Sequence, residues 1–167
     1  MIIILLMIIT FAFSFKMTNL PIDKKFISIA PAGIYGSYTL GISSFIKDNY
    51  NLEDYVFIGA SSGSWNSLIC CYKYNHNVLI SDLLKQTFFE RSSINNLQEN
   101  LSNYFSSHYK TEDFDLTKLY ISVTEYEKCK FKNSILSNFS SLTEALECCR
   151  GSCHIPFLTS NKLIRRY

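Results

Sequence analysis

Tyr55-Val-Phe-Ile-Gly59-Ala-Ser61-Ser-Gly63-Ser-Trp65 decides the fold. Its first four residues are β-branched or aromatic and read as a buried strand closed by Gly59. Immediately afterwards Trp65, Leu68, Ile69 and Tyr72 recur at i, i+3, i+4 and i+7, the spacing of one helix face, so a helix starts near Ser62. Between them lies Gly-x-Ser-x-Gly, and this motif between a strand and a helix is the sequence form of a nucleophile elbow. The turn is tight enough to force Ser61 into a strained backbone conformation. A side chain at Gly59 or Gly63 would then collide with neighbouring backbone. The Ser61 oxygen is presented at the head of the next helix, where free N–H groups and the helix dipole favour developing negative charge. Ser61 is therefore the candidate nucleophile, with Gly59 and Gly63 as the elbow glycines. The competing reading is a Gly/Ser-rich turn without chemistry, which the strand–turn–helix context disfavours.

Upstream the same pattern recurs. Phe26-Ile-Ser-Ile-Ala30 is a short apolar run that enters a turn holding Pro31, Gly33 and Gly36. Tyr38, Ile42, Phe45 and Ile46 then fall on one helix face, and the helix ends near Asp48-Asn49. Backbone N–H groups at Gly33 and its neighbour Ile34 are candidates for an oxyanion hole, where each donor is worth on the order of 3 kcal/mol. The alternative is a loop that simply needs a positive φ. Downstream, two amphipathic helices are expected around Leu79–Phe89, with the apolar stripe Ile80, Leu83 and Leu84, and around Ile94–Phe105, with the stripe Ile94, Leu97, Leu101, Tyr104 and Phe105. Asn75-His-Asn77 reads as the break before them. Leu119, Ile121 and Val123 alternate with polar residues or Tyr and predict a third strand. Ser141-Leu-Thr-Glu144 has capping-box spacing and opens a helix with Leu142, Ala145, Leu146 and Cys149 on one face. Strands separated by helices argue for an α/β fold with a mostly parallel central sheet.

The chain has 167 residues, the size of one domain. Apolar residues make up 47%, enough to exclude a disordered chain, and a net charge of +2 gives no footprint for nucleic acid. Neither Gly-x-Gly-x-x-Gly nor a phosphate-binding Gly-x-x-x-x-Gly-Lys occurs, which disfavours a nucleotide-binding domain. Residues 1–15 carry no charge and read as a hydrophobic leader, a signal or an anchor, with a buried strand or helix as the alternative. Residues 20–167 form the domain proper. A leader implies a membrane-associated or secretory location, the alternative being cytoplasmic; the sequons at Asn100 and Asn138 matter only in the secretory case. The six cysteines form no Cys-x-x-Cys and read as buried thiols. Cys149, Cys153 and His154 could share a helix face, but that is a weak signal, and no metal is expected. His76 and His108 are expected on solvated helix ends.

Three landmarks now stand in order: Ser28-Ile-Ala-Pro31-Ala-Gly33-Ile34-Tyr-Gly36-Ser-Tyr38 with Gly41, then Gly59-Ala-Ser-Ser-Gly63, then Arg150-Gly-Ser-Cys-His-Ile-Pro156-Phe. Together they resemble the patatin-like phospholipases, most closely the animal adipose-lipase type. The resemblance implies a three-layer patatin-like fold, hydrolysis of lipid acyl esters at a membrane or lipid droplet, a Ser–Asp dyad with Ser61 as nucleophile, and no cofactor. Pro31 stands where that family has the first glycine of a triplet, and proline has no N–H. The oxyanion donors are then the amides of Gly33 and Ile34. The family's aspartate lies in an Asp-Gly motif some twenty residues beyond the Ile-Pro segment. No Asp-Gly occurs in this chain, so the resemblance implies a partial domain, incomplete at its C-terminus, with its base lying beyond Tyr167. An inactive, truncated module acting by lipid or protein binding is the alternative. A triad of Ser61, Asp113 or Asp115, and His154 has the chain order of an α/β-hydrolase. It is disfavoured because one strong strand, rather than several, precedes Ser61.

Overall fold

The computed structural model describes residues 23–86, 94–127, 130–159 and 163. The expected leader, Cys129 and the end of the helix expected over Leu79–Phe89 lie outside the described residues. Four strands, β1 (Lys25–Ile29), β2 (Tyr55–Ala60), β3 (Leu119–Glu127) and β4 (Lys130–Leu136), form one sheet in the order β1-β2-β3-β4. The first three are parallel, with Ile29 opposite Gly59 and Ala60 opposite Ser122, and β4 runs antiparallel to β3. Among the described residues five α-helices accompany them: α1 (Gly36–Asn49), α2 (Ser62–Cys70), α3 (His76–Leu84), α4 (Ile94–His108) and α5 (Leu142–Ser152). The described chain is thus α/β with a mostly parallel sheet.

β2 is central and buried on both faces, which is why Tyr55-Val-Phe-Ile reads as a continuous apolar run rather than an alternating one. Phe57, Leu119, Ile121 and Val123 face the main core with residues of all five helices. Val56, Ile58 and Tyr120 point the other way and form a smaller buried cluster with Ile135, which contains no residue of a described helix. α2 is the hub. Every residue from Gly63 to Cys70 is buried, since the helix rests on the sheet and is flanked by α1 and α5. α5 starts as its capping box predicts, for Ser141 Oγ accepts from Glu144 N at 3.2 Å. The Glu144 carboxylate returns one residue further back than in the standard box, to Ser140 N at 2.7 Å.

Three features depart from the sequence reading or go beyond it. First, α1 turns its Tyr38–Ile42–Phe45 stripe outward, and Tyr38 is 72% exposed. Its inward face is Gly36, Leu40, Ser43 and Lys47, because α2 offers polar groups that need partners. Asn66 Nδ2, buried in α2, donates to Gly36 O at 3.0 Å and Thr39 Oγ1 at 2.6 Å. Lys47 Nζ donates to Cys70 O at 2.8 Å and Tyr72 O at 2.6 Å, closing the carbonyl end of α2. Burial pushes the Lys47 ammonium below its ordinary range. Second, β4 was not anticipated. Third, His76 is buried rather than solvated. Asn75 caps α3 by accepting from Asn77 N at 3.0 Å, which turns His76 inward, its Nε2 3.4 Å from Asp48 Oδ1. Burial lowers its pKa and keeps the ring neutral. His108 lies exposed in the last turn of α4, as expected.

Gly41 sits inside α1 with nothing within 4 Å of where a Cβ would be. Gly41→Ala is expected to stabilise the fold by about 0.5–1 kcal/mol, the helix-propensity difference. Urea denaturation midpoints of the two proteins check this; a destabilised variant would show that this part of α1 is not free-standing helix.

Candidate active site

β1 and β2 are adjacent and parallel, so the turns leaving their carboxyl ends lie side by side, about one strand spacing of 4.8 Å apart. This places the Pro31–Gly36 turn beside the Gly59–Gly63 turn, at the edge where open α/β sheets bind ligands.

Ser61 has φ 53° and ψ −128°, a left-handed conformation that costs a non-glycine residue roughly 1–3 kcal/mol. The neighbours hold it there. A Cβ on Gly59 would lie 2.2 Å from Gly63 O, and one on Gly63 would lie 2.3 Å from Ile29 O. Both glycines therefore permit backbone approaches that no other residue allows, one between strand and helix within the turn, the other between α2 and β1. Ser61 O accepts from Ser64 N at 2.9 Å and from Ser64 Oγ at 2.6 Å. Ser61 N donates to Ser152 Oγ at 2.8 Å.

The second turn is tied to the first. Ala32 N donates to Ser62 Oγ at 2.9 Å, and Gly36 lets the chain pass over Ser62, where a Cβ would stand 3.0 Å from Ser62 Cβ. That contact withdraws the Ala32 amide. Gly33 follows with φ 55°, in the left-handed region, and begins a single 3-10 turn (Gly33–Tyr35). Among the described residues the N–H groups of Gly33 and Ile34 have no acceptor. Both residues line the same cavity as Ser61.

The cavity has a volume of about 310 Å³. Its wall is apolar: Leu40, Trp65, Ile69, Leu83, Leu101 and Phe105 line the interior, and Ile34, Leu84, Ile155 and Leu158 reach its rim. Among the described residues no Asp, Glu, His, Lys or Arg belongs to the lining. The titratable group beside Ser61 is the thiol of Cys153, buried at the end of α5. Burial drives its pKa up to about 11, against the smaller opposing influence of the neighbouring Ser61, Trp65 and Ser64 side chains, so it stands protonated at neutral pH. It is no base.

The triad partners are not brought together. Asp115 N donates to Cys71 O at 2.8 Å, at the far end of α2, about 15 Å along the helix from Ser61. Asp113 Oδ2 accepts from Lys110 N at 2.8 Å. His154 Nε2 lies 3.4 Å from Leu163 O and does not line the cavity. Among the described residues no group of three His, Cys, Asp or Glu is placed to hold a metal. The five described cysteines are buried as free thiols. Sequence reasoning missed Ser62 and Ser152 as partners of the two turns. Both lie inside motifs already singled out, but a hydroxyl's long-range partner has no local signature.

No protein-family model, no curated protein and no solved structure matches the chain.

Proposed function

We propose that this chain is an acyl-ester hydrolase domain of patatin-like type, acting on lipid esters with Ser61 as nucleophile. The observation that carries the reading is the Ser61 backbone, strained at the mouth of an apolar cavity that the Gly33 and Ile34 amides also line. The three-layer patatin-like architecture belongs to the same proposal and is supported by the order of the sequence landmarks. In this mechanism Ser61 Oγ attacks the ester carbonyl while the acyl chain occupies the cavity. The carbonyl oxygen, as it becomes an oxyanion, takes hydrogen bonds from Gly33 N and Ile34 N. The tetrahedral adduct collapses to an acyl-serine with release of the alcohol, and water then frees the acid. The serine proton goes to a carboxylate base, an aspartate in the family that the landmarks resemble.

Purified chain is expected to hydrolyse 4-nitrophenyl butyrate faster than buffer, and Ser61→Ala is expected to return the rate to the buffer level. Equal rates for the two proteins would sink Ser61 as nucleophile.

A second reading is favoured by one observation, that among the described residues the cavity lining holds no acidic or imidazole group. On that reading the chain is an inactive module that binds acyl ligands or protein. Binding of a fluorescent fatty acid with no turnover in the ester assay would select it.

The proposed partner in either case is a lipid surface, at a membrane or droplet. No charged residue occurs between Phe26 and Ile46, yet Ile34, Tyr35, Tyr38 and Phe45 are exposed there. Phe157 at 73% exposure extends the apolar rim beyond Ile155 and Leu158. Burying two such side chains in lipid contributes roughly 1.5–3 kcal/mol each. The double variant Tyr38→Ser/Phe157→Ser is therefore expected to bind phosphatidylcholine vesicles at least about 10-fold more weakly in a flotation assay. Undiminished binding would remove this face from the contact.

A further inference from the structure

β2 and β3 are paired as far as Ala60 and Ser122, and there β2 peels away into the elbow. A parallel ladder continued by one rung would join the N–H of Ser61 to a carbonyl of β3. Instead a side chain is spliced into the gap. Ser152 Oγ accepts from Ser61 N at 2.8 Å and donates to Ser122 O at 2.7 Å. Ser152 is the last residue of α5, 91 positions from Ser61. A serine in a helix commonly returns its hydroxyl to the carbonyl one turn back. Ser152 sends both of its hydrogen bonds off the helix, one to each of the diverging strands.

We infer that Ser152 is a positioning residue for the nucleophile: its hydroxyl replaces the missing rung and fixes how far Ser61 stands from β3. The inference rests on the reading of Ser61 as nucleophile. The spacer has a definite length. Removing the hydroxyl leaves a backbone donor and acceptor facing each other across the gap, and they either stay unpaired or close on one another. Closing would pull Ser61 toward β3 and out of its left-handed conformation. The relay also takes the Ser61 amide out of the oxyanion hole, which leaves that task to the Gly33–Ile34 turn. It further links the elbow to the segment after α5 that lines the cavity, since Ser152 is followed directly by Cys153.

Two measurements on the full chain test this. Amide hydrogen exchange by NMR reads the hydrogen bond without any reaction. Ser152→Ala is expected to speed exchange at Ser61 at least about 10-fold while amides in the middle of α2 and α5 keep their protection. Ser152→Thr, which keeps the hydroxyl, should leave it slow. Ser152→Cys, close in volume and weaker in hydrogen bonding, serves as a second variant with the same expected sign as alanine. The other measurement is labelling by a fluorophosphonate, in which Ser61 Oγ forms a bond to phosphorus with release of fluoride and the serine proton. Ser152→Ala should label about 10–100-fold more slowly, with threonine restoring the rate. Unchanged exchange at Ser61, exchange that rises equally throughout α5, or labelling as fast as wild type would each overturn the assignment. If wild type does not label while Ser61 exchange still responds to Ser152, the hydrolase reading falls and the relay stands.

Discussion

Gly63→Ala is expected to cost roughly 3 kcal/mol or more, a large share of the 5–15 kcal/mol that holds an ordinary domain together. Two effects oppose each other at this position. Alanine is the better helix former, which favours the variant by about 1 kcal/mol. The new methyl, however, would lie 2.3 Å from Ile29 O and 2.9 Å from Ala30 O. Neither is the end of a flexible side chain. Both belong to the backbone leaving β1, so relief requires lifting α2 off the sheet. α2 is buried along its length, and lifting it opens contacts with β1, β2, β3, α1 and α5 together. The steric effect therefore wins. Gly59→Ala should behave alike, with its methyl 2.2 Å from Gly63 O and 2.5 Å from Ser67 Oγ. Urea denaturation of the two variants beside Gly41→Ala gives the comparison: one substitution, two opposite signs. A Gly63→Ala protein within about 1 kcal/mol of wild type would show that α2 is not seated on β1 as described.

Phe105→Ala carries the second large effect. The side chain is fully buried, with its ring 6.1 Å from Trp65, 5.6 Å from Tyr109 and 6.2 Å from Phe114 between centroids. Truncating a buried phenylalanine costs about 3–5 kcal/mol, part in transfer energy and part in the void left behind. Here the void adjoins an existing space, because Phe105 lines the apolar cavity. The expected result has two parts. The melting temperature falls, and the preference among 4-nitrophenyl esters moves from butyrate toward longer chains as the cavity deepens. A stable variant would contradict the packing. An unstable variant with unchanged chain-length preference would contradict the cavity as the acyl site.

Much of this was legible in the sequence where one residue type meets one local requirement. The apolar run at Tyr55–Ile58, the Gly-x-Ser-x-Gly spacing and the Ser141 cap each state their role within a few positions. The orientation of α1 was not legible. Its apolar stripe, Tyr38, Ile42 and Phe45, is the better hydrophobic face, yet Asn66 and the open carbonyls at Cys70 and Tyr72 select the polar one. β4 escaped because Lys130-Phe-Lys-Asn-Ser carries little apolar signal; its residues are largely exposed, and pairing with β3 rather than burial defines it. His76 escaped because Asn-His-Asn has the composition of a turn, although its first residue is a helix cap. Within the candidate site, the strained turn at Ser61 with its two glycines was legible, and so was the positive φ of the turn at Gly33. The hydroxyls of Ser62 and Ser152 were not, since each acts on a residue 30 or more positions away.

The buried thiols have a consequence for how this molecule meets its surroundings. Cys70, Cys71, Cys148, Cys149 and Cys153 are all held protonated by burial, and thiol chemistry in water proceeds through the thiolate. In the folded molecule these five thiols are thus silent toward disulfide reagents, and an opened molecule exposes them together. These five carry a built-in clock for the opening of the core: the rate at which they consume a coloured disulfide at neutral pH counts its excursions into solvent.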